Sequence, residues 1–155
     1  RAAAEDLLSS AAAATLRFGG FRDGCFPFEG ARIKDYFEST LKALRPDIVF
    51  THARADRHQD HRVVSDLTWN KIRDHLELEY EIPKWDGDLG PPNVYVPLDA
   101  ATADRKVDLL MRHFGTQRSK RWFTRATFAG LMRLRGIEAG VDQAEAFTGR
   151  KIIWR

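Results

Sequence analysis

The chain has a single cysteine, two methionines and six prolines among 155 residues. One thiol, Cys25, cannot close an internal disulfide, which fits a reducing compartment or a simple absence of need; the expected location is the cytoplasm. No apolar run approaches the roughly 18–20 residues that a membrane-crossing helix requires. The alanine-rich stretch Ala11–Ala14 is short and flanked by polar residues. Neither sign of charge dominates: 25 Lys and Arg against 22 Asp and Glu leave a formal charge of +3. That excess is compatible with an anionic ligand and far below a nucleic-acid footprint. No internal repeat, linker or low-complexity tract interrupts the chain. What is present is 43% hydrophobic residues, close to the globular average, which excludes a disordered chain. The length predicts one domain over 1–155.

Helical and strand-like patterns alternate. Leu7, Leu8, Ala11, Ala14, Thr15 and Phe18 recur at helical spacing over 1–18, and Gly19-Gly20 ends that pattern. A second helix is predicted over 31–44, with Ile33, Tyr36, Phe37, Leu41 and Leu44 on one face and Pro46 as its stop. Ile48-Val49-Phe50 is a continuous apolar run between breakers, which predicts a buried strand of a parallel sheet. A third helix fits 61–76, with Val64, Leu67, Ile72 and Leu76 inward. Strands are predicted over 78–82 and 94–98, then helices over 103–114 and 124–135, the last with Phe128, Leu131 and Leu134 inward. Lys151-Ile152-Ile153-Trp154 reads as a closing strand. The alternation predicts a layered α/β domain with a mostly parallel sheet.

Chemistry concentrates directly after the first strand. His52, Asp56, His58, Asp60 and His61 fall within ten positions, running from a strand end through a polar loop to a helix start. Open α/β sheets bind ligands at this place, beyond the carboxyl ends of their strands. Imidazole and carboxylate are the donor set for zinc and similar ions. The same residues could instead cap the next helix and face water, and a catalytic zinc wants three protein ligands where the sequence shows no second cluster.

Several motifs occur in an order that resembles the LmbE-like / PIG-L family of zinc-dependent N-deacetylases. Arg1 and Glu5 lead into the alanine-rich helix, and Asp23-Gly24 marks the next loop. Arg45 to His52, Arg-Pro-Asp-Ile-Val-Phe-Thr-His, is similar to the strand before the family's second metal motif. His58-Gln59-Asp60-His61 resembles its His-Pro-Asp-His, with Gln59 in place of proline. Thr116-Gln117 and Ala144-Glu145-Ala146-Phe147 resemble late motifs. The resemblance implies a Rossmann-like three-layer sandwich and hydrolysis of an N-acetylglucosamine-type amide. It implies His61 as a Zn2+ ligand, His58 as the group that stabilises the oxyanion, and Asp60 as the carboxylate that orients the histidines. The family's Ala-His-Pro-Asp-Asp, which supplies the other ligands and the general base, does not occur in the sequence. The expectation is therefore the C-terminal majority of such an enzyme, lacking the first strand or two and inactive alone.

Other candidates are weaker. Trp85 and Asp88, in the loop after the 78–82 strand, could form a sugar-binding rim, or an exposed turn. Gln117, Arg118 and Glu145 are further candidates for substrate contact through their motifs and neighbours. Arg118, Lys120, Arg121, Arg125, Arg133 and Arg135 fall within eighteen positions, which could make an anion site but reads better as a solvated helix face. Trp122 and Phe123 within that stretch are assigned to the core. The expected partner is a small amino-sugar, with an anionic group compatible; no nucleic acid and no membrane span are expected. A non-catalytic sugar-phosphate- or nucleotide-binding α/β module and another His/Asp metal hydrolase, such as a phosphoesterase, stand as the alternatives.

Overall fold

A computed structural model describes residues 1–9, 11, 13–41, 44, 46–72 and 75–152. The elements follow in the order α1 (Ala2–Leu8), α2 (Gly30–Leu41), β1 (Ile48–His52), α3 (Gln59–Lys71), β2 (Leu76–Tyr80), β3 (Val94–Pro97), α4 (Ala100–His113), α5 (Arg125–Ala139) and β4 (Ala144–Lys151). Short 3-10 turns stand at Phe26–Phe28 and Gly115–Gln117. The strands lie in the order β1-β2-β4-β3. No helix among the described residues is long and apolar enough to cross a membrane.

The sheet departs from the mostly parallel arrangement predicted. β1 and β2 are parallel, in a register that sets Thr51 opposite Glu79 and His52 opposite Tyr80. β4 runs antiparallel to β2, with Tyr80 opposite Phe147. The bonds from Asn93 N–H to the Phe147 carbonyl and from Leu98 N–H to the Gln143 carbonyl show the same antiparallel sense flanking β3. One helix, α3, carries the chain from β1 back to the start of β2, as a parallel crossover must. Two helices, α4 and α5, separate β3 from β4, and a pair of helices returns the chain from the opposite end. The one reversed strand sits between β2 and β3, so it makes most of the pairings antiparallel.

The chain divides into two compact units. The first comprises Arg1–Phe18, Pro83–Trp85 and Tyr95–Glu145. Ala103 and Val107 of α4 meet Phe123, Phe128 and Met132 in a buried apolar cluster, with Leu98, Leu110, Met111 and Trp122 packed against it. The core assignment of Phe123 and Trp122 thus holds. The side chains of Asp99 and Thr124 cap α4 and α5 by accepting the backbone N–H of Thr102 and Thr127. On α5, Met132 and Arg135 face inward where Leu134 was expected; Leu134 is exposed. Gly136 permits that packing: a Cβ there would stand 2.6 Å from the Asp142 carbonyl oxygen. Gly140, in the left-handed region at φ 72°, ends the helix.

The second unit comprises Gly19–Ile82, Asp86–Val94 and Ala146–Arg155. Among the described residues, its buried apolar side chains are Ile33, Ile72, Leu78, Ala146 and Phe147. The inward face of α3 is polar, made of Asp60, Ser65 and Thr68, where Val64 and Leu67 were expected to carry the burial. β1 is not buried as predicted. It lies at the end of the strand order, and Ile48 and Phe50 are about half exposed, because an end strand has a neighbour on one side only. The first helix is shorter than the 1–18 pattern. Of the closing Lys151-Ile152-Ile153-Trp154, the strand contains Lys151; positions 153 and 154 lie outside the described residues.

Candidate metal site

The site is built at the carboxyl ends of β1 and β2. Thr51, buried, shares a hydrogen bond with the Thr68 hydroxyl of α3 (3.0 Å), which ties the strand to the helix that follows it. The parallel register then sets His52 beside Tyr80, whose hydroxyl is 3.2 Å from His52 Nε2. Burial, and next to it the Asp56 charge, pushes the Tyr80 hydroxyl up to about 12, so it stays a neutral phenol.

The loop between β1 and α3 is shaped by carboxylates. Glu79 of β2 accepts the backbone N–H of Arg54 at 3.0 Å. Asp56, buried, accepts the backbone N–H of His58 through Oδ1 and meets His61 Nδ1 through Oδ2, both at 2.8 Å. His58 is the N-cap of α3, and its Nδ1 accepts the backbone N–H of Asp60 at 3.3 Å. Accepting at Nδ1 places the proton of the neutral ring on Nε2. The His61 ring is stacked on that of His52, centroids 3.9 Å apart and planes within 7°, and lies 4.4 Å from that of His58.

His52, Asp56 and His61 each offer one ligand atom, and these atoms lie within 4.8 Å of one another. Two imidazoles and a carboxylate make a donor set suited to zinc or a similar ion, so the residues fit such a group. The basic strip is locally satisfied. Arg118 donates to the Met111 and Arg112 carbonyls, Arg125 pairs with Asp108, and Arg133 donates to the Asp142 carbonyl.

The remaining predicted residues are distributed over both units. Asp60 is buried, and its carboxylate accepts the backbone N–H of Gly24 and Phe26 at 2.6 and 3.1 Å. It pins the Asp23-Gly24 loop to α3, while the carboxylate that meets a histidine ring is that of Asp56. Asp88 accepts the backbone N–H of Arg57 at 2.8 Å, beside the same loop. Trp85, Gln117, Arg118 and Glu145 belong to the first unit. There Trp85 is 77% exposed, with the Lys120 ammonium 5.7 Å over its ring, Gln117 stands in a 3-10 turn and Glu145 is ion-paired with Lys106. Tyr80 escaped the sequence reading: it lies 28 positions from His52, and only the strand register brings the two together.

Residues 1–72 match the family described as PIG-L: GlcNAc-PI de-N-acetylase. A solved structure, the conserved protein TT1542 from Thermus thermophilus, is similar over 88% of this chain, with a TM-score of 0.59 and 20% identity. This chain spans 65% of that one, and the likeness is one of fold. No curated protein sequence matches the chain.

Proposed function

We propose that this chain, whose residues 1–72 carry the sequence of the PIG-L family, serves a metal-dependent N-deacetylase acting on an N-acetylglucosamine-type sugar or related amide. The observation that carries the reading is the placement of His61 beside His58 at the start of α3, with the buried Asp56 bonded to its ring. His61 is the ligand we assign to the ion, and zinc is the ion we expect. Bound zinc supplies a Lewis acid that polarises an amide carbonyl and a water whose pKa falls to near 7.

The chain's own residues then have distinct tasks. His58, with its proton on Nε2, donates to the carbonyl oxygen as negative charge grows there. Asp60 supports His58 through its backbone N–H and, through its carboxylate, fixes the start of α3 against the 24–26 loop. No residue of this chain is assigned as the general base, since the family's Ala-His-Pro-Asp-Asp does not occur in it. Asp88 is proposed as a substrate residue because its loop is bonded to that of Asp56 at Arg57. Trp85, Gln117, Arg118 and Glu145 stay proposed substrate contacts, of which Trp85 offers an exposed ring for sugar stacking. The substrate we infer is a small amino-sugar derivative, and the compartment a reducing cytoplasm.

The test is zinc titration together with acetate release from N-acetylglucosamine derivatives. The 155-residue chain should bind zinc weakly and release no acetate. A longer protein containing it should release acetate in a zinc-dependent manner and lose its zinc in His61→Ala. Full zinc occupancy in His61→Ala refutes the ligand assignment. Zinc-dependent cleavage of phosphate esters without amide cleavage replaces the deacetylase by a phosphoesterase.

A further inference from the structure

The hydrogen bonding of Asp56 separates its role from that of the residues around it. Its side chain is buried, and both carboxylate oxygens are engaged, Oδ1 by the His58 N–H and Oδ2 by His61 Nδ1. An ionised carboxylate only accepts, so the neutral His61 ring carries its proton on Nδ1 and its lone pair on Nε2. The plane of that ring is fixed as well. His52 stacks on it at 3.9 Å, and Tyr80 is bonded to His52 at 3.2 Å. Two imidazoles in parallel planes direct their in-plane lone pairs side by side, so one ion shared by His52 and His61 would require a ring to tilt. Asp56 turns Oδ2 to the His61 ring and Oδ1 to the N–H of His58, the N-cap of α3, so these partners set the direction of its carboxylate.

We propose that Asp56 is a positioning residue and not a metal ligand: it holds His61 in the Nδ1–H tautomer, with Nε2 presented to the ion. Partners of this kind fix ring orientation and raise the basicity of the ligating nitrogen. The proposal rests on the metal reading above, but the tautomer it requires exists without metal, which allows the two to fail separately.

Long-range proton–nitrogen correlation spectra of the metal-free chain, at a pH well above the imidazole range, report which ring nitrogen is protonated. His61 should show Nδ1–H in the natural chain, with population moving to Nε2–H in Asp56→Asn. Zinc titrations followed in the same spectra should show Asp56→Asn weakened about 10–100-fold, with binding lost in His61→Ala. Three outcomes overturn the proposal: an Nε2–H tautomer in the natural chain, an unchanged tautomer in Asp56→Asn, or zinc lost in Asp56→Asn as fully as in His61→Ala. Should Asp56→Asn fail to fold, the natural chain's spectrum decides. An Nδ1–H tautomer with no zinc binding at all leaves Asp56 in its positioning role and removes the metal reading.

Discussion

The unit that holds Val107, Phe123, Phe128 and Met132 closes its interior with apolar side chains, whereas the unit that holds His52, His58 and His61 buries Thr51, Asp56, Asp60, Ser65, Thr68, Glu77 and Glu79. In the first, side-chain volume decides stability, and the single buried charged residue, Arg135 among the described ones, is answered by Glu138 on the same helix. In the second, stability depends on partners. Glu77 and Glu79 point to one side of β2 and share Arg150, whose guanidinium also lies 4.0 Å over the Trp69 ring. The comparison teaches that the unit holding the candidate metal site is the one whose interior is held by hydrogen bonds and charge pairs.

Replacing Arg150 strikes this difference hardest. Arg150→Ala strands two buried carboxylates, and urea denaturation should register a loss of about 3–5 kcal/mol. A loss under about 1 kcal/mol would mean that the charges of this interior are solvated and the contrast is false. In the other unit, Phe128→Ala removes a buried ring packed edge-on against Phe123 and should cost about 3 kcal/mol, while Phe128→Leu recovers most of it. An equal loss for both substitutions would show that ring geometry, beyond volume, governs that core.

The smallest effect is in the pH dependence. Burial holds the Glu77 carboxyl above its ordinary range, against the opposing pull of Arg150. The folded chain therefore keeps this proton longer than the unfolded chain. Its contribution to stability is present below the ordinary carboxylate range and is lost as pH rises through the raised value. Glu77→Gln should flatten that part of the stability profile; an unchanged slope would assign it to other groups.

Much of the architecture was legible from local signals. Helices α2, α4 and α5 were anticipated within a few residues from amphipathic spacing and Pro46, whereas the helix expected over 61–76 ends at Lys71 and Leu76 opens β2. The reversal of β4 and the exposed position of β1 were not, because an apolar run says nothing about which strand lies beside it. At the site, the crowding of His52, Asp56, His58, Asp60 and His61 was plain in sequence. Which carboxylate serves which histidine was not. Asp60, next to His61 in the chain, is turned by the helix toward Gly24 and Phe26, while Asp56, five positions back, meets the His61 ring.

By itself, then, the sequence determined the ingredients: a globular composition without disulfide or long apolar run, helices with their caps, and a metal-capable cluster between a strand and a helix. Only the tertiary structure decided how those ingredients are used. Strand register brings Tyr80 to His52, the first turn of α3 sends Asp60 and His61 in different directions, and ring stacking fixes the plane of His61. The physical reason is range. Capping and periodicity act within a turn or two of the chain, whereas hydrogen bonds and ring contacts across 28 or 36 positions exist only once the backbone has been folded to place them.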